Sequence, residues 1–513
     1  MKKFIDNHPL AAVMIAAGVF RLLAVVFSKG YMASDDHFQT VHVAYQWLQQ
    51  GFFGADGYMT WKRDPAWEIS RFPLYTVSLF WSMKLMYALG FEALDKIMYG
   101  VRLFHGLFSM LGVWAVYRII ELVTKSKKWA VAGGMVMAIH FVMPYLAVRN
   151  LIEMVGGTLW VLAVYYLYRY RDDKQTVWLV LAGIVTGLAW MVRFQLLLAF
   201  WVIPIILWID DRRIRAALYY GLTLLGMFLI AGLVDWKLMG TFMGTTLNHI
   251  GQGFTERPPY ATNIFIYIGV ILGYFIPPLS LILFYLAGRK SFVADHKMIT
   301  ISSLAFVVIH SLLASRQERY MIPIVPVLAV VLILAMHRHY CENGFLFRKK
   351  RLFYPLLTFT ISINTVLLLI FTFNYGHKGM VEPLVKVEQV SAETPKVLFF
   401  SPDKYRNFPY FYGGFDQIGR NYVFHWPDFD RAMQDTVGGF YDYYMLYPLD
   451  AADLGKYVDT LENRVGPMRE VFHVGPSLVD YILHLLNPKH NRTHEGWVYA
   501  PVARFEKNHG PDL

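Results

Sequence analysis

Apolar runs dominate the first three quarters of the chain. Runs long enough to cross about 30 Å of hydrocarbon lie near residues 10–28, 72–90, 99–123, 129–147, 151–168, 176–191, 194–209, 216–234, 264–287, 298–314, 320–337 and 352–374. They predict an all-α polytopic membrane protein with about 11 transmembrane helices. After Asn374 the pattern changes to charged, aromatic and Pro/Gly residues, with strand-like runs such as KVLFF at 396–400 and FHVG at 472–475. A small mixed α/β domain on the outer face is expected there. The predicted division is a transmembrane domain over 1–375, including an outer loop at 29–71, and a soluble domain over 376–513.

Charge between the runs orients them. The basic loops are KSKK at 125–128, RYRDDK at 169–174, DDRRIR at 210–215, GRKSFVADHK at 288–297 and HRHYCENGFLFRKKR at 337–351. With Lys2 and Lys3 inside and 72–90 dipping in without crossing, all of these loops share one side, the positive-inside pattern. A crossing at 72–90 would invert the parity of the spans after it. The opposite side then carries 29–71, the turns around Arg149, Arg193 and Arg319, the loop 235–263 and the tail.

Composition changes the picture in three ways. The 513 residues are 56% hydrophobic and 17% charged, with a mean hydropathy of +0.37, so the solvent of most of the chain is lipid. The net charge of +11 sits in topological clusters and does not imply a nucleic-acid partner. The single cysteine, Cys341, leaves no intramolecular disulfide. The first run has the basic start of a signal peptide, but Arg21 interrupts it and no small-residue cleavage site follows, so it is read as a retained span. The short N-terminus and lone cysteine fit a bacterial inner membrane better than an endoplasmic reticulum membrane.

Two polar constellations stand out on the outer side. In SDDHFQ, Ser34 to Gln39, adjacent Asp35 and Asp36 suit a general base, since deprotonating a sugar hydroxyl needs a carboxylate aimed into a cleft at the membrane surface. The same residues also read as a hydrated loop, or as an N-cap at Ser34 with the two aspartates on a helix dipole. Arg149, Arg193, Arg316 and Arg319 each end an apolar run, where guanidinium groups suit a lipid-linked phosphate. Charges at that depth are costly and tend to be functional, although snorkelling to headgroups competes. Glu153 and Glu318 each lie near an arginine, as ion-pair partners or as part of the same site. No metal is expected, because the histidines lack ligand spacing. No P-loop, dinucleotide fingerprint or nucleophile elbow is present.

The order of these clusters resembles the Alg9-like mannosyltransferases, the GT22 family of GT-C membrane glycosyltransferases. SDDHFQ is similar to that family's acidic loop after the first span, with Asp36 in place of a Glu and Ser34 in place of a Pro. TWKRDPAWEISRFPLY at 60–75 matches its next stretch through Trp67, Glu68, Arg71 and Pro73. RNLIEMVGGTLWVLAVYY at 149–166 carries Arg149 and Glu153. GLAWMVRFQLLL at 187–198 carries Arg193, with Gln195 replacing a small residue. VDWKLMGTFMGTTLNHI at 234–250 matches through Asp235, Gly240 and Asn248. SRQERYMIPIVP at 315–326 keeps Glu318, Arg319, Tyr320 and Pro323, while Ser315 and Arg316 replace a His-Lys pair.

The resemblance covers about residues 10–335 and implies a GT-C fold and inverting transfer of mannose, or a related hexose. The donor would be a polyprenyl-phosphate sugar and the acceptor a glycan or glycolipid, on the periplasmic or lumenal face, with no cofactor and no nucleotide sugar. Asp35 would deprotonate the acceptor, with Asp36 beside it. Arg319, Arg316, Arg193 and Arg149 would hold the donor phosphate. His37, Gln39, Trp67, Glu68, Arg71, Glu153, Asn248 and Glu318 would line the substrate site. Two alternatives compete: a GT-C transferase for another lipid-linked sugar or a protein acceptor, and a transporter or flippase. The latter predicts acidic residues within spans and repeat symmetry, whereas here the charges gather at one face and no repeat is visible.

Overall fold

A computed structural model describes residues 6–33, 37–53, 72–211, 214–255, 263–313, 316–391, 395–401, 412, 422–423, 441–448, 450–488, 491–503 and 505. They form two compact units. The first comprises Met1–Val26, Gly51–Ser78 and Arg102–Thr372, and the second Phe27–Gln50, Leu79–Val101 and Phe373–Leu513.

The first unit is helical. Among the described residues, five helical segments are long and apolar enough to cross a membrane: Pro9–Phe27, Leu94–Thr124, Ile214–Met239, Glu318–Cys341 and Lys350–Val390. The pair Ile266–Phe275 and Leu279–Ala287, bent by 116°, adds a sixth if it is one broken span. Pro277 and Pro278 lie at that break; proline removes a helical N–H and disfavours helix in the residue before it. Three shorter apolar helices, Thr176–Val192, Phe194–Asp210 and Lys297–Leu312, accompany them. On Ile214–Met239, Leu218, Leu222, Leu225, Leu229 and Leu233 stand exposed along one face. Water would penalise such a stripe and hydrocarbon does not. The protein is an integral membrane protein.

Arg21, placed mid-run in the first helix, is buried. It donates to Ser109 Oγ at 2.7 Å and to the carbonyls of Ala17, Ala138 and Met137. Its charge is met by hydrogen bonds between neighbouring helices, as a charge in a span requires.

The five basic loops are linked to one another by polar contacts. Lys125 pairs with Asp172 at 3.0 Å, and Arg171 donates to the Asp295 carbonyl at 2.8 Å. Arg338 pairs with Asp295 at 2.6 Å and with Glu342 at 2.8 Å, Arg289 reaches Glu342 at 3.1 Å, and Lys297 pairs with Asp210. Surface ion pairs contribute little stability one by one; here they show that these helix ends share one side. His8 to Ala11 line a groove with Tyr117, Arg118, Glu121 and Lys127, so Pro9–Phe27 starts at this end and Leu94–Thr124 finishes at it.

The second unit contains a five-stranded sheet of β1 (Val397–Phe400), β2 (Tyr422–Val423), β3 (Tyr443–Leu446), β4 (Met468–Val474) and β5 (Gly496–Pro501), in the order β2-β1-β3-β5-β4. β1 pairs parallel with β2 and β3; β5 pairs antiparallel with β3 and β4. β1 and β3 are buried throughout, as their continuous apolar and aromatic runs require. Leu398, Phe400, Tyr444, Leu446 and Trp497 form a core that the Leu454–Val465 helix covers through Leu454, Tyr457, Val458 and Leu461.

Candidate active site

Arg193, Glu153 and Arg319 come together in the first unit. Glu153 lies in the first turn of the Ile152–Asp173 helix, where a carboxylate favours the positive end of the helix dipole. Arg193 caps the C-terminus of Thr176–Val192 in extended conformation. Arg319 lies in the Glu318–Ile324 turn before Val325–Cys341. A glycine pair makes the convergence possible. One turn beyond Glu153, a side chain at Gly156 would meet Leu196 Cδ1 at 2.7 Å, and one at Gly157 would meet the Pro323 carbonyl oxygen at 2.8 Å. Both neighbouring turns can therefore press against the start of the helix that carries the carboxylate.

The result is a buried charge cluster. Arg193 Nη1 pairs with Glu153 at 2.7 Å, with the side chains 3% and 0% exposed, and Arg319 Nε lies 3.8 Å from the same carboxylate. Both guanidinium groups face the Tyr320 ring, Arg193 at 4.9 Å and Arg319 at 5.6 Å. Arg319 also donates to Gln317 Oε1 at 2.7 Å. Among the described residues, Arg193 Nε and Nη2 meet no hydrogen-bond partner. Buried donors carry a desolvation cost when unspent, and an anion placed there would take them up. His310 adds to the same neighbourhood. Its Nδ1 bonds the Phe306 carbonyl at 3.0 Å, its Nε2 is buried with no hydrogen-bond partner among the described residues, and its ring lies 6.2 Å from Tyr320 and 6.4 Å from Tyr267.

Arg149 and Arg316 also have local partners. Arg149 stacks over the Tyr145 ring at 3.3 Å and donates to the Tyr145 carbonyl. Arg316 donates to the carbonyls of Ser311 and Leu313 at 3.1 and 3.2 Å. Glu318 begins the turn that carries Arg319. Asn248 lies exposed on Gly244–Thr255, next to His249, whose ring bonds Gln195 at 2.9 Å. Asp235 accepts from Thr245 N at 3.0 Å and Thr245 Oγ1 at 2.6 Å, capping that helix. Asp35, Asp36, Trp67, Glu68 and Arg71 lie outside the described residues. His310 and Tyr267 were not singled out by sequence; a histidine inside the run 298–314 was the available signal.

The flanks of the acidic pair belong to the second unit. Gln39 falls within the His37–His42 turn, and His37 N donates to the Ala33 carbonyl at 3.1 Å. A column of rings runs from there into the tail. His37 stacks on Tyr31 at 5.2 Å and on Tyr412 at 5.9 Å, Tyr31 on His377 at 4.6 Å, and His377 on His494 at 5.9 Å. Ser28 Oγ donates to the Asn374 carbonyl at 3.0 Å. Gly30, at φ +66°, lies so close to the tail that a side chain there would meet the Gly376 carbonyl oxygen at 2.6 Å. Burial lowers the His37 pKa to about 3. His42 is held well below the ordinary range, by burial first and His37 second.

The fold has solved relatives. ArnT from Cupriavidus metallidurans bound to undecaprenyl phosphate superposes with a TM-score of 0.58 at 13% identity, over 95% of this chain and 97% of that one. The same protein in the apo state gives 0.58 at 12% identity, over 97% and 99%. This chain has the GT-C fold. Residues 77–236, which hold Arg149, Glu153 and Arg193, match the family model described as dolichyl-phosphate-mannose-protein mannosyltransferase. Among curated proteins no match is found. The GT-C fold is the one expected from the sequence.

Proposed function

We propose that this protein is a membrane glycosyltransferase that moves mannose or a related hexose from a polyprenyl-phosphate donor to a hydroxyl of a lipid-linked or glycan acceptor, with inversion. The observation that carries this reading is the buried Arg193 guanidinium, which keeps Nε and Nη2 unspent beside Arg319 and His310. Glu153 fixes Arg193 through Nη1, leaving the remaining N–H groups for phosphate oxygens. The cluster lies at the ends of helices whose other ends join the basic loops. By the positive-inside rule this is the periplasmic or lumenal side.

In the proposed step Asp35 takes the proton of the acceptor hydroxyl, and the oxygen attacks the anomeric carbon from the face opposite the phosphate. The bond from that carbon to the phosphate oxygen breaks, and the electron pair leaves with the polyprenyl phosphate. Arg193 and Arg319 stabilise that charge as it develops, and a preorganised cationic site needs little rearrangement to do so. Arg149 and Arg316, which also donate to local carbonyls, are assigned to the rim of the phosphate site. His37, Gln39, Trp67, Glu68, Arg71, Asn248 and Glu318 are assigned to the sugar and the acceptor.

The match over residues 77–236 favours a second reading, with the same donor and a protein hydroxyl as acceptor. Reconstituted protein given polyprenyl-phosphate-[14C]mannose, with either a membrane glycolipid extract or Ser/Thr-containing peptides, separates the two by where label appears. Failure to release polyprenyl phosphate from this or any other polyprenyl-phosphate sugar, by a folded protein, would sink both.

A further inference from the structure

A short helix in the tail is built the wrong way round for a water-soluble domain. In Leu478–Leu486, Val479 and Asp480 are buried, while Leu478, Tyr481, Leu485 and Leu486 are 57%, 54%, 82% and 74% exposed. Positions i, i+3, i+7 and i+8 share one helical face, so the most apolar stripe of this helix faces outward. No described part of the chain covers it.

The place of this helix in the fold says what does. Ser477 and Asp480 form a capping box at its start, and the same residues tie it to the backbone that follows the last apolar helix. Ser477 Oγ donates to the Tyr375 carbonyl at 2.6 Å. Asp480 accepts from His377 N at 2.6 Å and from Lys378 N at 3.4 Å. The Lys350–Phe373 helix ends at Phe373, so the first turn of the tail helix is bonded to residues two to five positions beyond a span. That is the depth of the headgroups. At the other end, Asn491 Nδ2 donates to the Leu483 carbonyl at 3.1 Å and His484 Nδ1 bonds the Asn491 carbonyl at 2.8 Å, bringing the neighbouring Arg492 to the helix C-terminus. An apolar stripe flanked by cationic residues at that level matches a surface of acyl chains and anionic headgroups.

We propose that Leu478–Leu486 is an interfacial anchor, lying in the membrane plane with Leu478, Tyr481, Leu485 and Leu486 among the lipids. The proposal rests on the membrane character of the chain and is independent of the transfer reaction.

The test uses the full-length protein in nanodiscs containing anionic lipid. Cys341→Ser removes the native thiol, and Leu485→Cys carries an environment-sensitive fluorophore. Lys456→Cys, on the Leu454–Val465 helix and 83% exposed, is the reference site. At position 485 the emission shifts to the blue, loses most of its intensity to spin-labelled lipid and resists aqueous iodide; at position 456 iodide quenches and lipid does not. A label at 485 that behaves like the one at 456 overturns the proposal. So does a label shielded from both quenchers whose site cross-links between two molecules, because a second copy then covers the stripe. Leu485→Ser with Leu486→Ser keeps the thermal transition of the detergent-solubilised protein, since neither residue is in a core; a large loss of stability would likewise count against the anchor.

Discussion

Removing Glu153 tests the charge cluster most sharply. In the Glu153→Ala variant the Arg193 guanidinium, 3% exposed and 2.7 Å from its carboxylate in the wild type, stays buried without its counter-charge. Breaking one side of a buried pair costs about 3–5 kcal/mol, because the desolvation already incurred by the surviving charge is no longer offset. Arg319, 3.8 Å from the same carboxylate, adds like-charge repulsion to Arg193. The double variant Glu153→Leu with Arg193→Met removes both charges, and such apolar replacements are often neutral or better. Thermal unfolding of the purified proteins in one detergent is therefore expected to show a drop of several degrees for the single variant and recovery in the double one. Both are expected to lose most transfer, since the single variant disturbs the Arg193 site and the double variant lacks the Arg193 donors for the phosphate. A single variant as stable as wild type would refute the reasoning that Glu153 holds a buried, desolvated arginine. A double variant with normal transfer would remove Arg193 from the reaction.

Three further outcomes follow from local geometry. Tyr31→Ala or His377→Ala opens the ring column and is expected to lower kcat about tenfold, as loss of one or two aromatic contacts at about 0.5–1.5 kcal/mol each allows, with KM for the donor unchanged. Tyr31→Phe keeps the stack and restores the rate, and a KM effect without a kcat effect would argue against a positioning role. His37, lowered to about 3 from 6.5 by burial, contributes stability that is present above pH 6.5 and lost as pH falls towards 3, because the unfolded chain binds the proton first. A His37→Phe variant should therefore show a flatter dependence of melting temperature on pH over that window, and parallel curves would contradict the assignment. Gly157→Ala forces a methyl group against the Pro323 backbone at 2.8–2.9 Å and is expected to cost about 1–3 kcal/mol; an unchanged thermal transition would show that the two turns separate without penalty.

The long helices were legible because a hydrocarbon solvent leaves its mark on every position. The runs at 151–168 and 216–234 became Ile152–Asp173 and Ile214–Met239. Breaks within runs were less legible. The run 264–287 is two helices with Pro277 and Pro278 between them, and 129–147 ends one helix at Ile139 and starts another at Val142. Hydropathy averages over such interruptions, and the proline pair was the visible warning. In the site, Arg193, Glu153 and Arg319 converge because their backbone positions end or begin helices, which sequence shows. Arg149 and Arg316 occupy equivalent positions but spend donors on nearby carbonyls, a choice set by side-chain direction, which sequence leaves open. The ring column joins residues more than 300 positions apart, and no local pattern announces it.

The central claim is transfer of a sugar from a polyprenyl phosphate with Asp35 as base. Its most direct test is a comparison of wild type and Asp35→Asn, folded to the same degree, in the release of polyprenyl phosphate from polyprenyl-phosphate-[14C]mannose in the presence of acceptor extract. The account predicts release and labelled product with wild type, and loss of both with the variant while the donor still binds. Equal release by the two proteins would contradict the role of Asp35, and retention of the donor unchanged by both would contradict the reaction itself.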